Sequence, residues 1–333
     1  MRIMRLPKLV SNSLKLSATL LLLFLVFRSV DPTQITHDLK NFDAKAIILL
    51  VVLCWAGQLL CSERWRIFAA SLEIKGSFRS FVQVYFASMF FNIGLPSLVG
   101  GDVVKAYVIS RKNSKSLQLA IASVLQDRGA GLMSLLAYGS AAILLHPLAW
   151  KGFPLWGAYL VSWIAVVAAL LLVFKGNRLY RRFLNPRSQT VWQKALQAAS
   201  GFHLALGQSS LSPGAALRIT LYSFVYSGLV LWIFQQVTVA AGHPVGVVSF
   251  SALFPLIALG TMLPLTLGGL GIREWLYVEA LSLVGIPRDQ GLVISLATSA
   301  LYLLINLGGL PFLPAIPAEM RPQAYDFSET TNS

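Results

Sequence analysis

Charge is what this chain has least of. Of its 333 residues only 12% are Asp, Glu, Lys or Arg, where a soluble domain carries about 25%. Such a chain has too little polar surface to wrap its own core, which excludes an ordinary water-soluble enzyme. Acidic residues are scarcer still, 13 against 27 basic ones, for a net charge of +14. There are two cysteines, Cys54 and Cys61. Seven positions apart on one helix, they lie about 10 Å apart along its axis, too far for a disulfide, and read as small core residues. The four histidines (His37, His146, His203 and His243) fall in or near expected loops. None belongs to an HExxH or a Cys/His cluster, so no metal site and no cofactor is expected. A Walker A pattern, a GxSxG and a DxD-like pair are also missing, and no polar stretch is long enough for a soluble catalytic domain.

What is present is apolar. Hydrophobic residues make up 56% of the chain and mean hydropathy is +0.68. The apolar runs are span-length, so the expected class is an all-α polytopic membrane protein. The runs are Lys15–Val30, Ala44–Phe68, Leu117–Leu145, Pro154–Phe174, Ala215–Val239 and Gly291–Leu310, which makes about six full spans. Two further segments, Phe78–Ser110 and Val247–Gly285, are interrupted. Arg2, Arg5, Lys8 and Lys15 precede the first run, and no small-x-small cleavage site follows it, so it reads as an uncleaved span rather than a removed leader. The basic residues sit in the breaks between runs, where anionic lipid headgroups lie, and no nucleic-acid module accompanies them.

The interrupted segments contain Leu95-Pro96-Ser97-Leu98-Val99-Gly100-Gly101 and Leu263-Pro264-Leu265-Thr266-Leu267-Gly268-Gly269. Both read LPxxxGG, 168 residues apart, about half the chain. Each half then reads as two spans, a broken hairpin and a third span. Three crossings per half invert the second half relative to the first, so the expected domain (1–313) is an inverted repeat of about 14–145 and 154–311, followed by a mobile cytoplasmic tail, 314–333. Paired Gly/Pro breaks at matching positions point to a transporter's central site. Two readings of the breaks stay open: re-entrant hairpins, with Pro96, Gly100, Gly101, Pro264, Gly268 and Gly269 permitting close approach, or tight loops between short helices. With the N-terminus inside and both hairpins re-entrant, 20 basic residues fall on the cytoplasmic side and six outside, with Arg128 left within the membrane. This obeys the positive-inside rule, and the expected location is a bacterial inner membrane.

Candidate site residues follow from position. Asp127 and Arg128 lie inside the third full run, where a charge costs several kcal/mol unless paired or hydrated. Neighbours on a helix point about 100° apart, so each is expected to find its own partner. They read equally as a binding site for an anionic headgroup, Arg being suited to phosphate or carboxylate, or as a structural network. Asp102 and Lys105 follow the first LPxxxGG, and Arg273 and Glu274 follow the second. Freed backbone N–H groups at such breaks also hold anions. Against this, Lys105 reads as a cytoplasmic loop charge and Arg273–Glu274 as an interfacial pair. Glu63, Arg64 and Arg66 close the second run and read as interface anchors. The basic loop Lys175–Gln189 is expected on the anionic inner leaflet.

The run from Asn92 to Leu132 resembles the transmembrane, flippase-like region of the lysylphosphatidylglycerol synthases and their stand-alone relatives. The shared pattern is P-x-x-x-G-G-D, a basic residue, a polar segment and a serine-led apolar turn ending in acidic-Arg. Here these are Pro96, Gly100, Gly101, Asp102, Lys105, Ser123, Asp127 and Arg128. Gly268–Glu274 (GGLGIRE) matches a second signature. Residue 127 is Asp where the family pattern has Glu. The full-length synthases also carry a soluble aminoacyl-transfer domain, and none is readable in this sequence. The resemblance therefore implies lipid translocation without lysyl transfer, with an anionic, aminoacylated, isoprenoid or glycosylated lipid as ligand. Two other classes stand beside it. One is an accessory membrane subunit with a lipid-modifying enzyme as partner. The other is a membrane-embedded transferase, whose base would have to be Asp102, Asp127 or Glu274.

Overall fold

The computed structural model describes residues 43–94, 100–175, 209–262 and 271–316. The first expected span, most of the basic loop, residues 95–99 and 263–270 (with Pro96, Pro264, Gly268 and Gly269) and the tail from 317 lie outside the described residues. Nine α-helices are described: α1 (Ala44–Ser71), α2 (Phe78–Gly94), α3 (Gly100–Asn113), α4 (Leu117–Leu145), α5 (Trp156–Lys175), α6 (Pro213–Ala240), α7 (Val247–Met262), α8 (Ile272–Ser282) and α9 (Arg288–Leu307). A two-residue hairpin, β1 (Ala149–Trp150) with β2 (Phe153–Pro154), joins α4 to α5. A 3₁₀ turn, Leu310–Ala315, follows α9, and Ile316 after it is buried.

Local chemistry sets the helix starts. Asp43 caps α1 by accepting from Lys45 N at 3.0 Å. Ser116 caps α4 through Leu119 N at 3.3 Å. Ser212 caps α6 through Ala215 N at 3.3 Å, with Pro213 just inside the first turn, where its missing N–H costs nothing.

Among the described residues, four helices are long and apolar enough to cross a membrane: α1, α4, α6 and α9, of 28, 29, 28 and 20 residues. At 1.5 Å per residue they run about 30 to 44 Å, against a hydrocarbon core of about 30 Å. Helices α2, α3, α7 and α8, with 17, 14, 16 and 11 residues, reach only about 16 to 26 Å and are too short to cross singly. The two interrupted runs of the sequence are thus two helix pairs, α2–α3 and α7–α8. The lipid-facing surface is apolar: Leu160, Val161, Ile164 and Val167 on α5, and Leu217 and Leu221 on α6, are all more than half exposed. The chain is a multi-pass membrane protein.

The short pairs are wrapped by the long helices. Trp65 of α1 is fully buried, packs edge-on against Phe81 of α2 with ring centroids 4.7 Å apart, and donates its indole N–H to Ser123 Oγ of α4 at 3.1 Å. The indole nitrogen of Trp55 donates to Ile305 O at 3.0 Å, tying α1 to α9. The phenol of Tyr159 on α5 donates to Ala252 O of α7 at 2.8 Å, fixing α5 against the other pair.

Candidate functional site

A cavity of about 250 Å³ lies where the short pairs meet the long helices. Side chains from α1, α2, α3, α4, α6, α7, α8 and α9 all reach its wall, among them Asp102, Lys105, Arg128 and Arg273. These residues come from three separate stretches of the sequence and converge on one space.

The start of α3 is held in place first. Gly101 N donates to Asn92 Oδ1 at 3.1 Å, Asn92 Nδ2 donates to Asn306 Oδ1 at 3.2 Å, and Asn306 Nδ2 donates to Tyr302 O at 2.7 Å. A Cβ at Gly101 would lie 2.4 Å from Ser88 O and 2.6 Å from Asn92 Oδ1, so only glycine lets α3 come this close to α2. Asp102 then falls in the first turn of α3, where the positive end of the helix dipole favours a carboxylate.

Arg128 of α4 grips Asp102 with two parallel hydrogen bonds, Nε to Oδ2 at 2.7 Å and Nη2 to Oδ1 at 3.0 Å. Lys105, one turn along α3, reaches the same carboxylate, Nζ to Oδ1 at 3.2 Å. That contact lacks hydrogen-bond alignment, and among the described residues the Lys105 ammonium has no other acceptor. It rests 4.0 Å over the ring of Tyr85 and 5.3 Å over that of Trp65, whose faces attract a cation. The side chain of Lys105 is 2% exposed and that of Arg128 43%: one is sealed against the wall, the other faces open space. Arg273 approaches from α8 and pairs with its neighbour, Nη2 and Nε lying 3.1 and 3.2 Å from Glu274 Oε1. The other oxygen of Glu274 accepts from Gly271 N at 2.6 Å, capping α8.

The charges do not cancel. Among the described residues, three cations reach the cavity wall and one carboxylate does; counting Glu274 behind Arg273 still leaves one positive charge in excess. At membrane depth an uncompensated cation is costly, and an anion bound between Lys105, Arg128 and Arg273 would offset it. The rest of the wall mixes hydroxyls and amides (Gln58, Tyr226, Tyr277, Thr298) with apolar side chains (Phe234, Phe254, Ile257).

Asp127 goes elsewhere. It is 1% exposed and accepts from Arg64 Nε at 2.7 Å, while Arg64 Nη1 donates to Ser223 Oγ of α6 at 3.1 Å. Arg64 is therefore no interface anchor, as its place near the end of the apolar run suggested. Helix α1 continues seven residues beyond it, and Arg64 is 3% exposed inside the bundle. Its neighbours Glu63 and Arg66 do pair at the margin, at 2.6 Å. The 100° between adjacent helical positions separates Asp127 from Arg128 and sends each to a different partner.

Four residues of the motif that carried the resemblance, Gly101, Asp102, Lys105 and Arg128, line the wall, and the likeness extends well beyond them: the family model for the lysylphosphatidylglycerol synthase transmembrane region matches residues 12–309. The chain belongs to that family. Among curated relatives of this family member are two archaeal proteins, each described as a UPF0104 membrane protein. The one from Methanothermobacter thermautotrophicus is 22% identical over 320 residues, covering 89% of this chain and 93% of its own. The one from Methanocaldococcus jannaschii is 19% identical over 306 residues, covering 87% and 90%. No solved structure matches the chain.

The sequence reading missed the neutral half of the wall. Gln58, Asn92 and Asn306 carried a signal, since an amide within an apolar run has to find a partner. Tyr85, Tyr226, Tyr277 and Tyr302 carried none, because tyrosines near span ends read as an interfacial belt. Cys54, taken for core packing, borders the cavity while only 4% exposed.

Proposed function

We propose that this member of the lysylphosphatidylglycerol synthase transmembrane family is a lipid flippase that takes an anionic headgroup into the central cavity. The observation that carries the reading is the cationic excess there: Lys105, Arg128 and Arg273 line one space, and among the described residues Asp102 is the one carboxylate on its wall. A phosphate or carboxylate headgroup supplies the missing charge and the fork geometry that guanidinium groups favour, and the hydroxyls and amides around it suit the polar remainder of a headgroup. Acyl or isoprenoid chains stay in the bilayer.

The architecture suits transport. We read α1–α4 and α6–α9 as the two halves of an inverted repeat, with α2–α3 and α7–α8 as re-entrant pairs whose broken backbone lines the wet cavity. Three features support this. Helices α1 and α6, and α2 and α7, begin 169 residues apart. Lys105 and Arg273, 168 positions apart, reach the same cavity. Gln58 Nε2 donates to Tyr226 Oη at 3.1 Å, again across 168 positions, and two equivalent positions touch each other only close to a twofold axis. The basic residues of the loops favour a cytoplasmic N-terminus under the positive-inside rule, and we read the membrane as a bacterial inner membrane.

The test is lipid co-extraction with a membrane-solubilising polymer, comparing wild type with Arg128→Gln and reading bound lipid against bulk membrane. The expected result is one anionic lipid class enriched with wild type and depleted in the variant. Loss of one charge-assisted pair is worth about 1.5–3 kcal/mol, so affinity should fall about 10- to 100-fold. Normal lipid movement in proteoliposomes by a folded Arg128→Gln protein would overturn the assignment.

A further inference from the structure

The two carboxylates beside the cavity are held in different ways. Glu274 accepts a backbone N–H at 2.6 Å, is 2% exposed and forms part of the cap of α8, so moving it would unmake a helix start. Asp102 stands on the cavity wall, and the contacts described for it are to cations: both oxygens to Arg128, and one to Lys105. These are the bonds an incoming oxyanion needs, since a phosphate offers the same pair of oxygens to a guanidinium fork. Lys105 is only loosely engaged: among the described residues it lacks an aligned acceptor, while the Tyr85 ring supports it from behind.

We propose that Asp102 is a built-in competitor for the site, a carboxylate that occupies Arg128 and Lys105 when no ligand is bound and retakes them to expel the ligand. The inference rests on the flippase reading and adds a rule to it: the acidic residue of the wall opposes binding and drives release. A binding protein gains nothing from such a group. A transporter needs it, because a headgroup held by three unopposed cations at membrane depth would leave too slowly to be carried. The ligand chemistry is an oxyanion of the phosphate type, whether on a lipid headgroup or free.

The experiment is a binding titration of purified wild type, Asp102→Asn, Asp102→Ser, Asp102→Glu and Arg128→Gln in phosphatidylcholine nanodiscs. Short-chain phosphatidylglycerol and inorganic phosphate are the two probes. Asn and Ser both suit a first helical turn, so two neutral variants guard against a folding failure in one. The neutral variants should bind phosphatidylglycerol about ten-fold tighter than wild type or better. Asp102→Glu should stay within about three-fold of wild type, and Arg128→Gln should bind about 10- to 100-fold more weakly. In proteoliposomes the tighter-binding variants should move the lipid more slowly, a split between affinity and turnover that a structural strut would not produce. Weaker or unchanged binding by both neutral variants overturns the competitor role, and the headgroup site still stands if Arg128→Gln weakens binding about ten-fold or more. Tightening toward inorganic phosphate alone upholds the competitor and overturns the lipid. No saturable binding of either probe by any of the proteins overturns both.

Discussion

At the scale of single residues, two charge pairs that look alike differ in what they do. Arg128–Asp102 borders the cavity, and its guanidinium is 43% exposed. Arg64–Asp127 is sealed, with side chains 4% and 1% exposed, and it joins α1, α4 and, through Ser223, α6. Removing one partner of a sealed pair leaves an uncompensated charge, at about 3–5 kcal/mol, whereas replacing both by apolar residues of similar volume is often neutral. Asp127→Asn should therefore melt well below wild type in detergent, and Arg64→Met with Asp127→Leu should recover most of the loss while keeping lipid binding. Equal melting of Asp127→Asn and wild type would remove the structural role assigned to the pair. How far these partners were legible in the sequence differs for each residue. That Asp127 and Arg128 part ways follows from helical geometry alone. Their partners, 63 and 26 positions away, do not, because nothing local distinguishes an arginine that ends a helix from one that points inward a few residues before the end.

At the scale of elements, the short pairs are what make a polar cavity tolerable inside a membrane. Their closeness was half legible: LPxxxGG announced a break and a close approach, and α2–α3 and α7–α8 are where each interrupted run divides. The span of α4 matched its run, Leu117–Leu145, because capping Ser116 and the polar turn at His146 bound it on both sides. The side of α3 that meets α2 was not readable, since the decisive neighbours of Gly101 are a backbone carbonyl and the Asn92 amide. Gly101→Ala forces atoms together at 2.4 and 2.6 Å. Overpacking of this kind costs about 1–3 kcal/mol and tilts Asp102 and Lys105 out of place. Gly129→Ala, on α4 with open space around its position, is the matched control and should gain a little from helix propensity. The comparison is read by thermal unfolding and lipid binding of the two proteins together. A Gly101→Ala protein as stable and as active as the Gly129→Ala control would show that α2 and α3 have room to spare.

At the scale of the whole molecule, the proposed inverted repeat assigns the cations of the cavity to different halves. Lys105 stands on α3 of the first and Arg273 on α8 of the second, 168 positions apart, with the Gln58–Tyr226 contact between equivalent positions. A twofold axis in the membrane plane would place equivalent residues at mirrored depths, one nearer each leaflet. A headgroup entering from one side then meets Lys105 first, and from the other side Arg273 first. Neutralising them should have sided effects: Lys105→Gln should slow loading from one leaflet and Arg273→Gln loading from the opposite one, each by about ten-fold if one charge-assisted contact is lost. Arg128→Gln should slow both. The measurement uses oriented proteoliposomes with a fluorescent anionic lipid placed in the outer or the inner leaflet, following quenching with time. If Lys105→Gln and Arg273→Gln slow both directions to the same extent, the two cations act at one shared step, and the halves do not alternate access in the way an inverted repeat allows.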